Sequence, residues 1–296
     1  MIIARDRFFS LSEKEKRTSA GLSLFVDTIK TYYRKQRRPF SWRDKPTPYA
    51  VFVSEVMLQQ TQTHRVEPKF EAFTRMFPSF EVLAAAPLVK VLAAWQGLGY
   101  NRRAKFLKES AKMIMEKHGG VLPKEPIDLV ELPGIGPATA SSLAAFAYNV
   151  PTTFIETNVR TVFIHFFCAD KKGVDDKELL PLIAQTLDRE NPRDWYYALM
   201  DYGVMLKKQL VNPSRQSKHH VRQSPFEGSD RQIRGAIVRL LTTTHARIDQ
   251  DMLVDEICLH PKINAKPVRI QRILEGLLGE KMVQRDEESR IFIPSL

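Results

Sequence analysis

The strongest constraint on how this chain can fold is a period of 3.6. From residue 20 to residue 208, apolar side chains recur at helical spacing in one segment after another. Each segment stops at a break rich in glycine or proline: "FPSF", "GLGY", "HGGVLP", "LPGIGP", "ENPRD". The spacing predicts helices over 20–35, 48–62, 65–76, 79–85, 88–95, 102–117, 126–131, 137–148, 156–167, 176–187 and 193–208. No convincing strand pattern precedes residue 280, and there is no internal repeat. Such a chain buries its apolar stripes helix against helix, which makes the fold class all-α. With 296 residues it has enough length for two domains.

The periodicity lapses at "LVNPSRQSKHHVRQSPFEGS", a polar and basic stretch that reads as a linker. The expected division is a helical domain over 1–209, a basic linker over 210–228 and a small domain over 229–296. In the last part "DRQIRGAIVRLL", "DQDMLVDEICLH" and "PVRIQRILEGLLGE" read as three short helices. "KMVQRDEESRIFIP" then reads as two strands around a charged turn, with Val283 and Ile291 to Ile293 as the apolar positions. Three helices and a hairpin resemble a winged-helix domain with "PVRIQRIL" in the recognition-helix position. That fold binds DNA or proteins and does not itself choose between them.

Charge narrows the choice of partner. Forty-five Lys and Arg face 34 Asp and Glu, for a net charge of +11. Such a surplus favours an anionic partner, and without a membrane-spanning apolar run nucleic acid leads. The clusters "YYRKQRRPFSWR" at 32–43 and "NRRAK" at 101–105 interleave cations with aromatic or amide residues, as phosphate contacts beside base-stacking groups would. The start, "MIIARDRFFSLSEKEKR", has charges where an export signal needs an apolar stretch. Cys168 and Cys258 are too few and too far apart for a disulfide framework. The expected location is the cytoplasm, with the nucleoid.

One residue resists the helical pattern. In "YAVFVSEVML" the residues Val51, Phe52, Val56 and Leu58 read as a buried stripe, and Glu55 falls on its border. An ionised carboxylate there is costly unless paired or hydrogen-bonded. It reads either as a rim glutamate turned to water or as a carboxyl in a dry pocket, with the raised pKa a general acid needs. The local sequence leaves both open.

The most specific local signal is "DLVELPGIGPATASSLAAFA", two helices joined by a tight turn, which resembles the helix-hairpin-helix of DNA-binding proteins. Gly134 and Gly136 let the backbone approach a phosphate, and the amides at the start of the next helix point at it. The resemblance broadens with "WRDKPTPYAVFVSEVMLQQTQTHRV", "LAAWQGLGYNRRAKFL", "FIETNVRTVF" and "WYYALMDYGVML" in the same order and spacing. Over roughly residues 20–208 the chain resembles the helix-hairpin-helix base-excision DNA glycosylases, most of all the MutY type. The fold implied is two-lobed and all-α, followed by the small winged-helix-like domain.

That resemblance implies a role for each matching residue. Glu55 becomes the catalytic acid, which protonates a flipped adenine so that it can leave. A second carboxylate then stabilises the oxocarbenium-like sugar or attacks it. The family carries Asp there, and this chain carries Glu156 beside Asn158, the residue expected to hold the active-site water or sugar. The longer side chain leaves three outcomes open: a re-fitted pocket, a changed substrate, or a protein that binds but barely cuts. The reading favours the first two. Phe40, Trp42 and Arg43 match the segment lining the base pocket, Gln60 the amide wedged into the duplex, and Tyr100 an intercalating tyrosine. Ala138 and Thr139 open the helix after the hairpin, and Asp201 matches an acidic position near the base.

Absences matter equally. Bifunctional relatives place a lysine where Ala138 stands, and its amine attacks the sugar. The resemblance thus implies a monofunctional enzyme and leaves base preference open. Many relatives also hold an iron–sulfur cluster on four cysteines after "MDYGVML", and four thiolates are needed. This chain reads "KKQLVNPSRQSKHH", with Lys207 near the first position and His219 and His220 read as solvated. No cofactor is expected except a monovalent cation at the hairpin backbone. The expected substrate is double-stranded DNA carrying a mispaired or damaged base, most of all adenine opposite guanine or 8-oxoguanine, bound by a monomer away from membranes. The rival readings are a glycosylase for uracil, thymine or hypoxanthine, and a non-catalytic DNA-structure-binding protein on the same scaffold.

Overall fold

A computed structural model describes residues 2–221, 224–244 and 246–294. Arg222 and Gln223 of the expected linker lie outside the described residues, as do His245, Ser295 and Leu296 of the expected small domain. In chain order the helices are α1 (Ile2–Phe9), α2 (Ser19–Gln36), α3 (Ser41–Asp44), α4 (Pro48–Leu58), α5 (Thr63–Met76), α6 (Phe80–Ala85), α7 (Leu88–Trp95) and α8 (Arg102–His118). There follow α9 (Pro126–Leu129), α10 (Pro137–Tyr148), α11 (Thr157–Phe167), α12 (Asp176–Thr186), α13 (Pro192–Gln209), α14 (Asp230–Thr244), α15 (Gln250–Cys258) and α16 (Pro267–Gly279). Strands β1 (Ile248–Asp249), β2 (Gln284–Arg285) and β3 (Arg290–Phe292) form one antiparallel sheet in the order β1-β3-β2.

Local chemistry sets the helix ends. Thr18 caps α2 by accepting from the Gly21 amide, Ser79 caps α6 by accepting from Val82, and Asp175 with Glu178 closes a capping box on α12. At the other end, α8 stops at Gly119 and α10 at Asn149, both in the left-handed region. The periodic segments therefore fold as helices close to their expected bounds. Three elements depart from the reading. The α1 and α3 helices were not signalled, and β1 overturns the expectation of no strand before residue 280. With only two residues, β1 has no alternation to read; it exists because Ile248 pairs with Ile291.

Residues divide into two compact units. One comprises 2–48, 124–129 and 136–221. Its core is aromatic: Phe8, Phe25, Phe163, Phe166, Phe167 and Trp195 are all at most 2% exposed, and Phe25 meets Phe166 edge-on at 5.0 Å. Each such ring contributes about 1.5–3 kcal/mol on burial. Within this unit α11 and α13 approach closely at Gly203, where a Cβ would lie 2.6 Å from the Asn158 carbonyl oxygen. Any larger residue there would push Asn158 aside.

The other unit comprises 49–123, 130–135 and 224–294. Phe52, Phe73, Leu83, Leu92, Trp95 and Leu107 fill its first core. The C-terminal helices pack Ile237, Leu241, Leu253, Ile270, Leu274 and Leu277 into a second, closed by Met282, Val283 and Ile291. Three helices with a three-stranded sheet is the winged-helix-like arrangement. Its α14 lies on α7, where Gln96 Nε2 donates to Thr242 Oγ1. No described helix is long and apolar enough to cross a membrane.

Candidate active site and nucleic-acid interface

The α4 helix is buried almost all round. Val51, Phe52, Val53, Ser54, Val56 and Met57 are buried, whereas Leu58 is only half-buried. The stripe expected from periodicity was too narrow, since Val53 and Met57 are inside and Leu58 is not. Glu55 is half-buried between the buried Ser54 and Val56, a carboxylate set within the apolar run of the helix.

A residue that the sequence reading passed over holds the end of this helix. The Arg103 guanidinium, 8% exposed, donates through Nη1 to the carbonyls of Val56 (2.9 Å), Met57 (2.9 Å) and Gln59 (2.5 Å). Through Nη2 it donates to Thr61 Oγ1 (2.9 Å) and to the carbonyls of Leu98 and Gly99. It thereby satisfies the last carbonyls of α4 and ties them to the turn between α7 and α8. Burial lowers its pKa to about 10, Tyr100 opposing and Arg65 adding to that shift, so it stays charged at neutral pH. None of its acceptors is a carboxylate.

The two turns that Arg103 joins carry the two expected wedge residues. Gln60 (φ 53°) and Tyr100 (φ 49°) both adopt left-handed backbone, uncommon for residues with a Cβ. Such strain gathers at ligand contacts. The Tyr100 ring has the Arg103 guanidinium 5.4 Å from its centroid, and its hydroxyl accepts from Arg231 Nη1 at 2.8 Å. Gly134 joins the same unit, with Gln59 Nε2 donating to its carbonyl at 3.4 Å. Its φ is +77°, and a Cβ there would lie 2.7 Å from the Phe106 ring. Only glycine suits this point of the hairpin.

The remaining expected residues lie in the aromatic unit. Gly136 precedes α10, which has Pro137 in its first turn and no side-chain cap, leaving its first amides to outside acceptors. A Cβ at Gly136 would meet nothing within 4 Å, so close packing does not explain that glycine. Ala138 is exposed and Thr139 half-buried.

Phe40 and Trp42 stack at 4.7 Å with their planes 4° apart. Arg43 lies 5.1 Å from the Phe40 centroid and 4.2 Å from that of Tyr197. Asp201, 1% exposed, fixes this group: it accepts from Arg43 Nη1 at 3.0 Å, from Arg38 Nε at 2.6 Å and from the Arg38 amide at 3.0 Å. Asp201 is therefore the buried counter-charge that sets the segment 38–43.

Glu156 caps α11. Its carboxylate accepts from the amides of Asn158 (2.8 Å) and Val159 (3.1 Å) and from Asn158 Nδ2 (3.3 Å). Asn158 Oδ1 is buried without a partner among the described residues, which leaves its lone pairs for a donor outside the chain. Lys207, half-buried on α13 one turn beyond Gly203, completes the surroundings. Burial lowers its pKa, while the Glu156 charge opposes the shift and Arg38 adds to it.

The residues after α13 do not fit an iron–sulfur cluster. The stretch 207–220 contains no cysteine, Cys168 is buried elsewhere in this unit, and Cys258 belongs to the other. Among the described residues no three His, Cys, Asp or Glu side chains gather as a metal site. The loop is fastened by polar contacts. Val174 and Ser217 form a parallel bridge, the Val174 amide donating to Gln216 and the Lys218 amide to Val174 (both 2.9 Å). Gln216 Nε2 reaches the Ala169 carbonyl at 2.6 Å. Asp175 accepts from the Lys177 amide, which with His219 and Lys218 lowers its pKa to about 2.

Known proteins match this arrangement. The profile of the HhH-GPD superfamily of base excision DNA repair proteins matches residues 53–185. A thermostable thymine-DNA glycosylase superposes with a TM-score of 0.56 at 24% identity, over 62% of this chain and 86% of its own. A trapped endonuclease III–DNA covalent intermediate gives 0.51 at 18%, over 74% and 92%. At such identities these structures speak to the fold alone. The chain belongs to the HhH-GPD superfamily of base excision DNA repair proteins.

Its sequence relatives are more specific. The adenine DNA glycosylase of Mycolicibacterium smegmatis is 31% identical over 292 residues, covering 91% of this chain and 96% of that protein. Those of Buchnera aphidicola and Homo sapiens are 31% and 32% identical, but the chain covers only 53% and 37% of their lengths. Within the superfamily the chain stands with the MutY-like glycosylases.

Proposed function

We propose that this protein is a monofunctional adenine DNA glycosylase, hydrolysing the N-glycosidic bond of an adenine mispaired with guanine or 8-oxoguanine and leaving an abasic site. The observation that carries the reading is Glu55, a half-buried carboxyl within the apolar run of a helix whose end is clamped by Arg103. A general acid must hold a proton where the departing base can take it, and a carboxyl can fill that role. In this reading Glu55 delivers its proton to adenine N7, the C–N bond breaks, and the electron pair leaves with the base.

Glu156 supplies the negative charge that stabilises the resulting sugar cation. The extra methylene is accommodated because the carboxylate turns back to cap α11, with three donors fixing it. That geometry supports a re-fitted pocket over an inert one. Asn158 Oδ1 offers its free lone pairs to the attacking water or a sugar hydroxyl. Phe40, Trp42 and Arg43 line the base pocket, and Gln60 and Tyr100 enter the duplex. Gly134, Gly136, Ala138 and Thr139 hold a phosphate at the hairpin, with a monovalent cation on its carbonyls. The enzyme works as a monomer on DNA without an iron–sulfur cluster.

A panel of labelled duplexes tests this, with adenine opposite 8-oxoguanine, guanine or thymine, and with uracil, thymine or hypoxanthine in mismatches. Alkali then breaks abasic sites. Strand breaks are expected with adenine opposite guanine or 8-oxoguanine, appear only after alkali, and leave no borohydride-trapped adduct. Release of another base in preference to adenine, or an adduct trapped at high yield, would overturn the assignment.

A further inference from the structure

A cavity of about 950 Å³ opens between the turn from α7 to α8 and the first helix of the C-terminal part, wholly within one compact unit. That volume is at the upper end of ligand sites, which span roughly 300–1,000 Å³. Its lining is unusual in charge. It includes six arginines and one lysine and no carboxylate. Among the described residues Arg65, Arg103 and Arg231 are held by neutral oxygens: Arg65 by the Gly97 carbonyl, Arg231 by the Tyr100 hydroxyl and the carbonyls of Ser224 and Pro225. Arg239 and Lys262 are exposed, with no side-chain partner among the described residues. Arg102 and Arg234 are the paired ones, sharing Glu280. So concentrated an uncompensated charge suits a polyanion.

The helix α16 presents a different surface. Its two arginines, Arg269 and Arg272, both reach Asp230 at 2.6 and 2.8 Å, and its Glu275 engages Arg285. Exposed beside them are Val268 and Gln271, which carry no charge. With most of its charge paired within the fold, α16 offers phosphates less than the cavity does.

We propose that the C-terminal part binds DNA through α14 and this cavity, which takes the phosphodiester backbone of one strand, and that α16 is not its DNA-reading helix. The proposal rests on the protein acting on DNA and is independent of which base is released. Arg231 links α14 to the turn between α7 and α8 by donating to the hydroxyl of Tyr100, so backbone contacts on α14 sit beside the expected wedge. Phosphates displace counterions there, and each cation contributes about one to the slope of log affinity against log salt.

The test measures the affinity of the full chain for an intact 25-mer duplex between low and moderate salt. Arg239→Ala with Lys262→Ala should weaken low-salt binding tenfold or more and lower the slope by about two. Val268→Glu with Gln271→Glu, which places negative charge on the open face of α16, should change affinity less than twofold. All four side chains are exposed, and circular dichroism would verify that each variant folds. Loss of binding in the α16 variant equal to that in the cavity variant would overturn the proposal, as would a cavity variant within twofold of the parent. Micromolar binding of deoxyadenosine monophosphate abolished by the cavity substitutions, with duplex affinity unchanged, would also overturn it and assign the cavity to a free nucleotide.

Discussion

The two compact units bury charge in opposite ways. In the aromatic unit Asp201 is fully enclosed and answered by two arginines, Arg38 and Arg43, so the group closes on itself. In the other, the buried Arg103 is answered, among the described residues, by five carbonyls and a hydroxyl. The first arrangement pairs an enclosed anion with two cations, one of them part-exposed, and serves to set the segment from Arg38 to Arg43. The second leaves a positive charge uncompensated beneath the turns bearing Gln60 and Tyr100. A scaffold that keeps a buried cation without a counter-ion favours an anion arriving from outside, which is what a DNA strand provides.

Removing one partner from each group sharpens the contrast. Asp201→Asn strands the buried guanidinium of Arg43 beside the part-exposed one of Arg38 and should cost about 3–5 kcal/mol, as broken buried pairs do. Urea unfolding measures it, and a cost below about 1 kcal/mol would mean that the pair is incidental. Arg103→Met should cost less, about 2–3 kcal/mol, because the stranded groups are neutral carbonyls. Its functional effect should nonetheless be broader. With both turns released, duplex affinity should fall roughly tenfold, about 1.4 kcal/mol. Unchanged affinity would separate Arg103 from the interface.

Glu156→Asp acts more gently. Asp caps helices well, so stability should stay within about 0.5 kcal/mol of the parent. The carboxylate withdraws by one methylene, however, and a displacement near 1 Å can alter rates by up to about 100-fold. Either a faster release of adenine or a shifted base preference is expected in the duplex panel. No change in either would show that the extra methylene is without consequence.

The smallest effect concerns acid. His165 lies among Phe9, Phe166 and Arg5, and burial lowers its pKa to about 4, with Arg5 adding to the shift. The unfolded chain takes up this proton near pH 6.5 and the folded chain only near 4, so stability declines as pH falls through that window. In His165→Phe the melting temperature should vary less with pH between 6.5 and 4, by roughly a few degrees. An unaltered profile would exclude His165 as a source of acid sensitivity.

Much of this was legible before any coordinates. Long amphipathic segments declared themselves because one face of each is apolar, and the hairpin declared itself because Gly134 permits a backbone that a Cβ would forbid. Short elements were not legible: α3 has four residues and β1 two, below the length at which a period exists. Arg103 was hidden by its company in "NRRAK", which reads as a solvated basic cluster. Its spacing from Leu107, Ala111 and Ile114 places it on the buried face of α8, and that signal could have found it. Asp201 shares the buried face of α13 with Ala198, Tyr202 and Leu206 in the same way. The role of α14 in lining a cationic cavity depended on tertiary packing against α7, which no local pattern encodes.

The central claim is that Glu55 is the acid. Single-turnover release of adenine from a duplex with adenine opposite 8-oxoguanine, by the parent and by Glu55→Gln at saturating enzyme, tests it directly. The amide keeps the shape but has no proton to give, so the rate should fall at least about 100-fold while duplex affinity stays within threefold. A Glu55→Gln variant that releases adenine at the parent rate would contradict the assignment and return Glu55 to the role of a rim glutamate.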